Sequence, residues 1–491
     1  MKLLHLSHSM KSLLPLRSIS RNLFLFCFLL SPLFIKAQIS GKIFRDFNAN
    51  GVFDSTATFK EVGLSGITVV AYNPAGTSLG STTTNGTGNY SIPAAIGSVR
   101  VEFSGLITGD YSGPIGTQSG SSVQFVTAPN SNVSYGVNYP PNYCNSTNPN
   151  LIVPCYVAGD PLKGGTSGTR GVIVSLPYNS MGTTPTVSYP AIASQVGSVY
   201  GQALLRSTKN LFSAAFVKRH VGLGPDGAGA IYTINLNTNS VKLFTTLSAG
   251  TVPSAAIRNL PDGTSSTASY DVAVYDLVGK TGLGELEISD DEKTLYVVNL
   301  ADQKLYSIAI NTPSDPTAGA VTSVAIPNPC GSESFRPFAL KYYRGKVYVG
   351  VVCTKEGSAD TTRMKATVFE YNGSSFNTVL SFPLTYTKGA TNDMATVLTH
   401  WYPWSNDFYA APYGFNGNGG NPSFPQPWFT GIDFDSDGSM IIALRDRYGD
   451  QGGWKNYGTN TTDNTTYPVI SNAEILRAGK CGTGNTWTIE S

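Results

Sequence analysis

Oxygen-bearing side chains alternate along a short stretch near the start of the chain. The stretch reads Asp46-Phe-Asn48-Ala-Asn50-Gly51-Val52-Phe-Asp54. Alternating oxygens with a glycine at the sixth place are typical of loops that wrap a calcium ion, which takes six to eight oxygens at about 2.3–2.6 Å. The seventh place usually offers only its carbonyl oxygen, so Val52 is acceptable there, and Asp54 stands at the ninth place. The spacing therefore predicts a site for a hard divalent cation.

The loop differs from the helix-loop-helix form in its flanks and in its closing ligand. The twelfth residue would be Ala57, which cannot coordinate a metal. The flanking segments Ile39–Phe44 and Leu64–Tyr72 alternate as β-strands do. Glu61 could supply the missing carboxylate after the excursion through Ser55–Lys60. The spacing alone leaves a second interpretation open, an ordinary turn rich in Asn, Asp and Gly.

Three ordered motifs surround this loop. They are Gly41-Lys-Ile-Phe-Arg-Asp46-x-Asn48-x-Asn50-Gly51-x-x-Asp54, Glu61-x-Gly63-Leu64-x-Gly66-Ile67-x-Val69 and Thr83-x-Asn85-x-x-Gly88-x-Tyr90-x-Ile92. Together they resemble the SdrD B-like domain, a Cna-B-like β-sandwich of bacterial surface proteins, over residues 39–139. The resemblance implies that Ca²⁺ stiffens the module. The implied ligands are Asp46, Asn48, Asn50, the Val52 carbonyl, Asp54 and Glu61. This chain departs from the family in having Asn50 where many members have Asp, and in the lengthened segment before Glu61.

The composition of the whole chain favours an extracellular all-β protein. A length of 491 residues exceeds what one core usually serves, so two domains are expected. Charged residues make up 13% of the chain, against a usual value of about 25%. The 52 glycines among 491 residues exceed the usual share of about 7%. Many short strands, each followed by a turn, give such a profile. The net charge of +2 and the lack of a Lys/Arg cluster beyond the N-terminal segment indicate no nucleic-acid partner.

Residues 1–37 are predicted to be a secretory signal peptide. Basic residues precede an apolar segment, Leu23–Ile35, and the small Ala37 suits a cleavage position. A retained N-terminal anchor is the alternative. After cleavage we expect an exported protein that does not span the membrane and is secreted or attached to the cell surface.

The remaining chain divides into two predicted domains of different character. Residues 39–139 are expected to form a single sandwich. Its expected strands are Ser40–Phe44, Ile67–Asn73, Gly80–Thr84, Tyr90–Pro93, Val99–Phe103 and Val123–Val126. Residues 140–143, within Tyr139-Pro-Pro-Asn-Tyr-Cys144, predict a stiff, extended, proline-rich linker.

Residues 144–491 repeat a pattern of hairpins. Leu286–Ser289, Thr294–Asn299 and Lys304–Ile310 read as three strands of one blade. The region resembles a β-propeller of secreted bacterial proteins, although WD and kelch signatures are absent, and its length suits six or seven blades of about 45 residues. A second stack of sandwiches is the alternative. The chain stops directly after the strand-like Thr486–Ile489, so we expect it to be part of a longer protein.

A search for catalytic motifs finds none. His220 and His400 are the only histidines beyond the signal peptide, and no Gly-x-Ser-x-Gly, HExxH or P-loop pattern occurs. We therefore expect no enzymatic activity. His220 is expected to be a capped or loop histidine, with a catalytic role as the alternative. The aromatic run His400–Trp404 is expected to pack over one end of the propeller, with stacking on a sugar ring as the alternative.

Two acidic segments and the cysteines complete the candidates. Asp433-Phe-Asp435-Ser-Asp437-Gly438 is expected to be a hairpin turn, with metal binding as the alternative. The charges of 445–451 are expected to pair with one another between blades, with ligand binding in the propeller channel as the alternative. Five cysteines follow the signal peptide. They allow bridges Cys144–Cys155 and Cys330–Cys353, with Cys481 left over, but the sequence does not fix the pairing.

These observations predict a secreted or cell-surface protein of structural or adhesion type. In this prediction a calcium-stabilised sandwich presents a propeller that binds an extracellular protein or glycan. The alternative is a carbohydrate-active hydrolase or lyase with its site on the propeller face, where Asp446, Asp450 or His400 would converge in one pocket.

Overall fold

The computed structural model describes residues 38–55, 61–93, 97–144, 148–264, 268–389, 398–415, 421–435, 437–480 and 486–490. The predicted signal peptide lies outside these residues. Regular structure in the described ranges is almost entirely β, as the composition predicts. None of the helices in these ranges has the length and apolar character needed to cross a membrane.

The N-terminal module consists of two four-stranded sheets. Its strands are β1 (Gln38–Arg45), β2 (Thr68–Tyr72), β3 (Ser78–Thr83), β4 (Asn89–Pro93), β5 (Gly97–Ser104), β6 (Tyr111–Ser112), β7 (Val123–Ala128) and β8 (Tyr135–Asn138). The strand orders are β4-β1-β8-β6 and β3-β2-β5-β7. Alternate residues such as Ile43, Val69 and Val101 are buried in one shared core. The six predicted strands are all present, and the assignment to the Cna-B-like family stays a prediction.

The motif glycines lie where backbones approach each other closely. A Cβ atom added to Gly63 would lie 2.0 Å from the Thr87 carbonyl oxygen, and one added to Gly88 would lie 2.3 Å from the Ile43 carbonyl oxygen. Any larger residue would therefore force the chain apart. The three sequence motifs thus pack against one another, which gives their spacing a structural reason.

The segment between the two modules is compact. Pro140–Asn142 form a 3₁₀ helix, and the Tyr143 N–H donates to the Pro140 carbonyl at 3.0 Å. The prediction of an extended linker is therefore wrong. Proline is compatible with the first turn of a helix because its φ is already helical and no N–H is needed there.

The second region contains the remaining strands. They are β9 (Asn150–Pro154), β10 (Gly171–Pro177), β11 (Ser188–Ile192), β12 (Val199–Leu205), β13 (Asn210–Ala215), β14 (Ala230–Asn235), β15 (Ser240–Thr246), β16 (Leu283–Ile288), β17 (Thr294–Asn299), β18 (Lys304–Asn311), β19 (Thr317–Ala325), β20 (Phe335–Tyr343), β21 (Lys346–Cys353), β22 (Lys365–Tyr371), β23 (Phe376–Pro383), β24 (Pro427–Phe434), β25 (Met440–Asp446), β26 (Trp454–Tyr457), β27 (Thr466–Pro468), β28 (Ala473–Lys480) and β29 (Trp487–Ile489). Short helices lie at Thr166–Thr169, Ala193–Val196 and Arg447–Gly452, with 3₁₀ turns at Val272–Val274 and Phe408–Ala410.

These strands form sheets that radiate from a common axis. The four-stranded sheets are β12-β13-β14-β15, β16-β17-β18-β19, β20-β21-β22-β23 and β24-β25-β28-β29, and β11-β10-β9 forms a three-stranded sheet. The first strands β12, β16, β20 and β24 contact one another in succession. Meandering sheets around an axis define a β-propeller, so the predicted architecture is confirmed.

The described ranges contain five such sheets, fewer than the six or seven blades predicted. Two long connections, between β15 and β16 and between β23 and β24, form no blade within the described residues. Near the axis Trp428 stacks on Phe216 at 5.6 Å and meets the edge of Phe338 at 4.7 Å between ring centroids. This aromatic group holds three of the sheets together.

Candidate functional site

The loop predicted to bind calcium closes on itself through hydrogen bonds. The Asp46 carboxylate accepts the N–H groups of Asn50 at 3.0 Å and Gly51 at 2.7 Å. Glu61 reaches back across the excursion, and its Oε2 accepts the Asp54 N–H at 2.8 Å. The structure thus brings the predicted closing carboxylate beside the loop.

The two asparagines complete this arrangement. Asp54 Oδ2 accepts bonds from Nδ2 of Asn48 at 2.7 Å and of Asn50 at 2.9 Å. Asn50 Oδ1 in turn accepts the Val52 N–H at 2.7 Å. Each amide carries an oxygen opposite its nitrogen, so rotation about the terminal bond would turn that oxygen toward Asp54. A cation seated there would replace the two N–H donors that now serve this carboxylate.

Three carboxylates meet in this loop, and two of them have little access to water. Asp46 is 1% exposed and Glu61 is 4% exposed. Burial raises the pKa of Glu61, and the negative charges of Asp46 and Asp54 raise it further. Within the described ranges these carboxylates accept N–H bonds and are paired with no lysine or arginine. Clustered, buried negative charge of this kind is what a bound cation would neutralise.

The donor set fits calcium in chemistry, although it is not preformed. In the part of the chain that the structure describes, no three acidic, histidine or cysteine side chains already surround one metal position. Binding would therefore require the amide rotations and small shifts of the carboxylates. Gly51 is required for a separate reason, because its φ is +69° and an added Cβ would lie 2.5 Å from the Gly116 backbone.

A polar pocket of about 310 Å³ lies at one end of the propeller axis. Each of the four inner strands contributes a polar side chain to its wall: Gln202 from β12, Glu287 from β16, Lys341 from β20 and Asp433 from β24. Lys341 Nζ lies 3.3 Å from Glu287 Oε1 and 3.2 Å from Asp433 Oδ1. We call this the axial pocket.

Two carboxyl groups on β16 have pKa values near neutrality. Burial raises the pKa of Glu287 to about 7, although Lys341 opposes the shift. Deeper along the axis, burial raises the pKa of Glu285 to about 8, while its Oε1 accepts the Gln202 N–H at 3.1 Å. Such groups can exchange protons at neutral pH. Neither residue is among those predicted from the sequence, although two glutamates spaced by two lie on one face of a strand.

The axial pocket lies against the segment that joins the modules. The Tyr139 hydroxyl donates to Asp290 Oδ1 at 3.0 Å, and the Tyr139 ring lies 4.8 Å from the Arg344 guanidinium. The Tyr143 hydroxyl donates to the Asp46 carbonyl oxygen at 3.0 Å. Residues 139–143 therefore contact both the loop and the wall of the pocket.

The charged segment 445–451, at the end of β25 and in the helix that follows, forms ion pairs, as expected. Asp450 is fully buried, and its carboxylate pairs with Arg445 at 2.6 Å and with Lys218, which follows β13. Burial disfavours its charged form, yet these two cations hold the pKa of Asp450 below its usual value. Asp446 is also buried and accepts the Gln426 N–H at 2.9 Å. The Asp446 side chain therefore stabilises the surrounding backbone by accepting its hydrogen bonds.

The two histidines do not form a site with these acids. His220 is buried, and its ring Nδ1 lies 2.8 Å from Ser269 Oγ. The backbone N–H of His220 donates to Asp271 Oδ2 at 2.7 Å. It is a loop histidine, as predicted, and burial lowers its pKa well below the usual value. His400 is exposed, and its Nδ1 lies 3.1 Å from Thr399 Oγ1. The convergence of His400 with Asp446 and Asp450 is therefore wrong.

The aromatic run 400–404 packs into the protein. Trp401 and Trp404 are each 1% exposed, and Trp404 Nε1 donates to the Pro427 carbonyl at 2.8 Å. The packing interpretation is confirmed. These two tryptophan rings present no face to a sugar.

The acidic turn between β24 and β25 sends its carboxylates to different partners. Asp435 and Asp437 pair with Arg477 at 3.3 and 2.5 Å, whereas Asp433 faces Lys341. Gly438 has a φ of +82°, which suits a turn. The hairpin-turn interpretation is confirmed.

The cysteines follow one of the two pairings considered. Cys330 and Cys353 form a disulfide, whereas Cys144 and Cys155 are free thiols. The pairing of Cys144 with Cys155 is therefore wrong. Cys481 lies outside the described residues.

The fold and the axial pocket define the chain as an all-β protein with a propeller region. It is similar to several proteins of Dictyostelium discoideum, among them Colossin-A and Colossin-D. Colossin-A is 28% identical over 483 residues, which are 91% of this chain and 4% of Colossin-A. Colossin-D is 28% identical over 448 residues, which are 84% of this chain and 43% of Colossin-D. The chain thus spans less than half the length of these relatives. No protein family matches it.

Solved structures with a related fold include enzymes. The periplasmic gluconolactonase of Pseudomonas aeruginosa has 10% sequence identity and a TM-score of 0.29, with 83% of this chain and 98% of that chain covered. The expectation of no enzymatic activity relied on missing motifs and is corrected, because the solved structures that this chain is similar to include a luciferin-regenerating enzyme and a gluconolactonase. The likeness is too distant to assign any reaction to this chain.

Proposed function

We propose that this chain is an extracellular protein whose propeller binds a polar ligand, a sugar unit of a glycan, in the axial pocket. One observation carries the proposal: Gln202, Glu287, Lys341 and Asp433 come from four different strands and converge on one concave space. A volume of about 310 Å³ is at the lower end of the usual range for small-molecule sites. Carboxylates and an ammonium group are suited to hydrogen-bond sugar hydroxyls.

A glycan array with the full chain tests this proposal. Binding to a defined glycan is expected, and Lys341→Met should weaken it at least tenfold because a charged hydrogen-bond donor is lost. Lys304→Met is the matched control, since Lys304 lies away from the pocket and is 41% exposed. The absence of any glycan signal, or equal loss in both variants, would refute the proposal.

A second candidate function is a carbohydrate-active hydrolase or lyase that uses the same pocket. The observation that favours it is the pKa of about 7 for Glu287 beside the cation of Lys341. A carboxyl group with that pKa can donate or accept a proton at neutral pH. Glu287→Gln should then abolish turnover of a bound glycan while leaving binding within a few-fold. Unchanged turnover in Glu287→Gln would exclude this role.

We further propose that the loop of residues 46–61 binds Ca²⁺ and stiffens the N-terminal module. The support is the cluster of Asp46, Asp54 and Glu61, with Asn48, Asn50 and the Val52 carbonyl as further ligands. An ion that binds only the folded loop stabilises it by RT ln(1+[L]/Kd), about 2.7 kcal/mol at a hundredfold excess over Kd. Chelation should therefore lower the melting temperature of the N-terminal module, and Asp54→Asn should reduce this response. An unchanged melting temperature would remove calcium from the proposal.

Export completes this proposal. A secreted or surface-attached protein would meet extracellular calcium and glycans, and the disulfide Cys330–Cys353 is compatible with an oxidising compartment.

A further inference from the structure

A second cavity, of about 350 Å³, lies at the junction of the two modules. We call it the junction cavity. The N-terminal module contributes Arg45 and residues 62–65, and the propeller contributes Arg344, Lys346 and Lys480. Tyr348 and Trp487 add aromatic wall. The junction cavity and the axial pocket share one lining residue, Tyr343, while the charged residues that line them are different.

Positive charge exceeds negative charge around the junction cavity. Four lining residues are cationic, and two, Glu370 and Asp437, are acidic. Both acids are already engaged, Glu370 with Lys346 at 2.6 Å and Asp437 with Arg477 at 2.5 Å. Lys480 is exposed and forms no ion pair with any carboxylate of the described residues. Although the residue as a whole is exposed, partial desolvation of its ammonium group lowers the pKa of Lys480, and the charge of Lys346 lowers it further.

The two arginines share a single counterion. Asp110 accepts bonds from Arg45 at 2.8 Å and lies 3.4 Å from Arg344. Arg45 is 2% exposed, and its Nη1 has no hydrogen-bond acceptor among the described residues. Arg344 Nε is likewise buried without an acceptor in those ranges. Buried donors are normally satisfied, and an uncompensated buried charge is costly. An anion in the adjoining cavity would balance the excess positive charge of the two arginines.

We propose that the junction cavity binds a small organic oxyanion. Arg344 and Lys480 would hydrogen-bond its charged oxygens, while Arg45 supplies unbalanced positive charge from the cavity floor. The largely buried side chains of Tyr348 and Trp487 give the cavity an apolar wall, beside which the carbon skeleton of an acid such as a hexuronic acid would lie. A carboxylate and a sulfate share the chemistry that this site recognises.

Isothermal titration of the full chain tests the proposal at constant ionic strength, with glucuronate, glucose and inorganic sulfate as probes. Glucuronate should bind and glucose should not, and Lys480→Gln should raise the Kd for glucuronate about tenfold because one charged hydrogen bond is lost. Lys209→Gln, a change at an exposed lysine on the turn between β12 and β13, should leave the Kd unchanged.

Each result decides for or against the site. Sulfate binding that is lost in Lys480→Gln supports recognition of the oxyanion itself, whereas glucuronate binding without sulfate binding supports recognition of the ring as well. No heat with either anion, equal binding of glucose, or an unchanged Kd in Lys480→Gln overturns the proposal. Thermal unfolding of each variant confirms that the chain remains folded, so a loss of binding cannot come from misfolding.

Discussion

Replacing Asp110 by asparagine should release the N-terminal module from the propeller. The Asp110 carboxylate accepts two bonds from one Arg45 nitrogen, at 2.8 and 2.9 Å, and also faces Arg344 of the propeller. Arg45 has almost no access to water. The substitution Asp110→Asn keeps the size of the side chain but removes its charge, so the arginine would stay buried without a counterion.

The expected cost is large compared with the stability of a domain. Removing one partner of a buried ion pair destabilises a protein by about 3–5 kcal/mol, whereas a whole domain is stable by about 5–15 kcal/mol. With a urea dependence of about 1–3 kcal/mol per molar, the unfolding midpoint of the N-terminal module should fall by roughly 1–5 M.

The distribution of tryptophan makes the two modules separately measurable. All five tryptophans lie beyond residue 400, so their fluorescence reports the propeller, while circular dichroism reports both modules. In the wild-type protein, the urea midpoints from fluorescence and from circular dichroism should lie close together. In Asp110→Asn the circular dichroism signal should begin to change at a lower urea concentration than the fluorescence. Glu102→Gln is the control, because Glu102 pairs with Arg100 on the surface, where a pair is worth about 0–1 kcal/mol. Equal midpoints for the two variants would refute the reasoning.

Two further predictions concern the propeller. Cys330→Ser should destabilise the propeller by about 3 kcal/mol, because the lost disulfide joins residues 23 apart in sequence. Tryptophan fluorescence during urea unfolding measures this loss. If reduced wild-type protein unfolded at the same urea concentration as the oxidised protein, the prediction would be contradicted. The second prediction concerns pH. The pKa of Glu285 is about 8 when folded, against 4.5 ordinarily. Between these two pH values the folded state keeps a proton that the unfolded chain has lost. The stabilisation that protonated Glu285 gives the folded state is therefore fully present below about pH 4.5 and is lost as pH rises through 8. The urea midpoint should fall over that range, and Glu285→Gln should flatten the fall; an unchanged slope would show that another group titrates.

Strand positions are predictable where side chains alternate between core and solvent. In β17, Leu295 and Val297 are buried and Tyr296 between them is partly exposed, and the sequence predicts this strand with its observed bounds. The outer strand β19, Thr317–Ala325, is not predicted because it is an edge strand whose residues are mostly exposed. Nothing requires an apolar alternation in such a strand, since neither face is fully covered.

The two candidate sites differ in how far they could be predicted, because one is built from residues close in sequence and the other from residues far apart in sequence. The residues of the loop around Asp46 are close in sequence, so their spacing is informative. The axial pocket combines Gln202, Glu287, Lys341 and Asp433, which are separated by more than fifty residues at each step. Only the order of sheets around the axis brings them together. Only Asp433 belongs to a pattern visible in the sequence, the acidic turn of residues 433–438, and Gln202, Glu287 and Lys341 look ordinary in their own strands.

The compact segment between the modules gives the two proposed sites a common physical support. Tyr143 holds the Asp46 carbonyl at one end of residues 139–143, and Tyr139 holds Asp290 at the wall of the axial pocket. A cation that reshapes the loop would change the position of Asp46, and therefore the contact with Tyr143. Any effect of calcium on ligand affinity must be matched by an equal effect of the ligand on calcium affinity. Because this segment is the covalent connection between the modules, Tyr143→Phe should weaken such coupling without removing a group from either site.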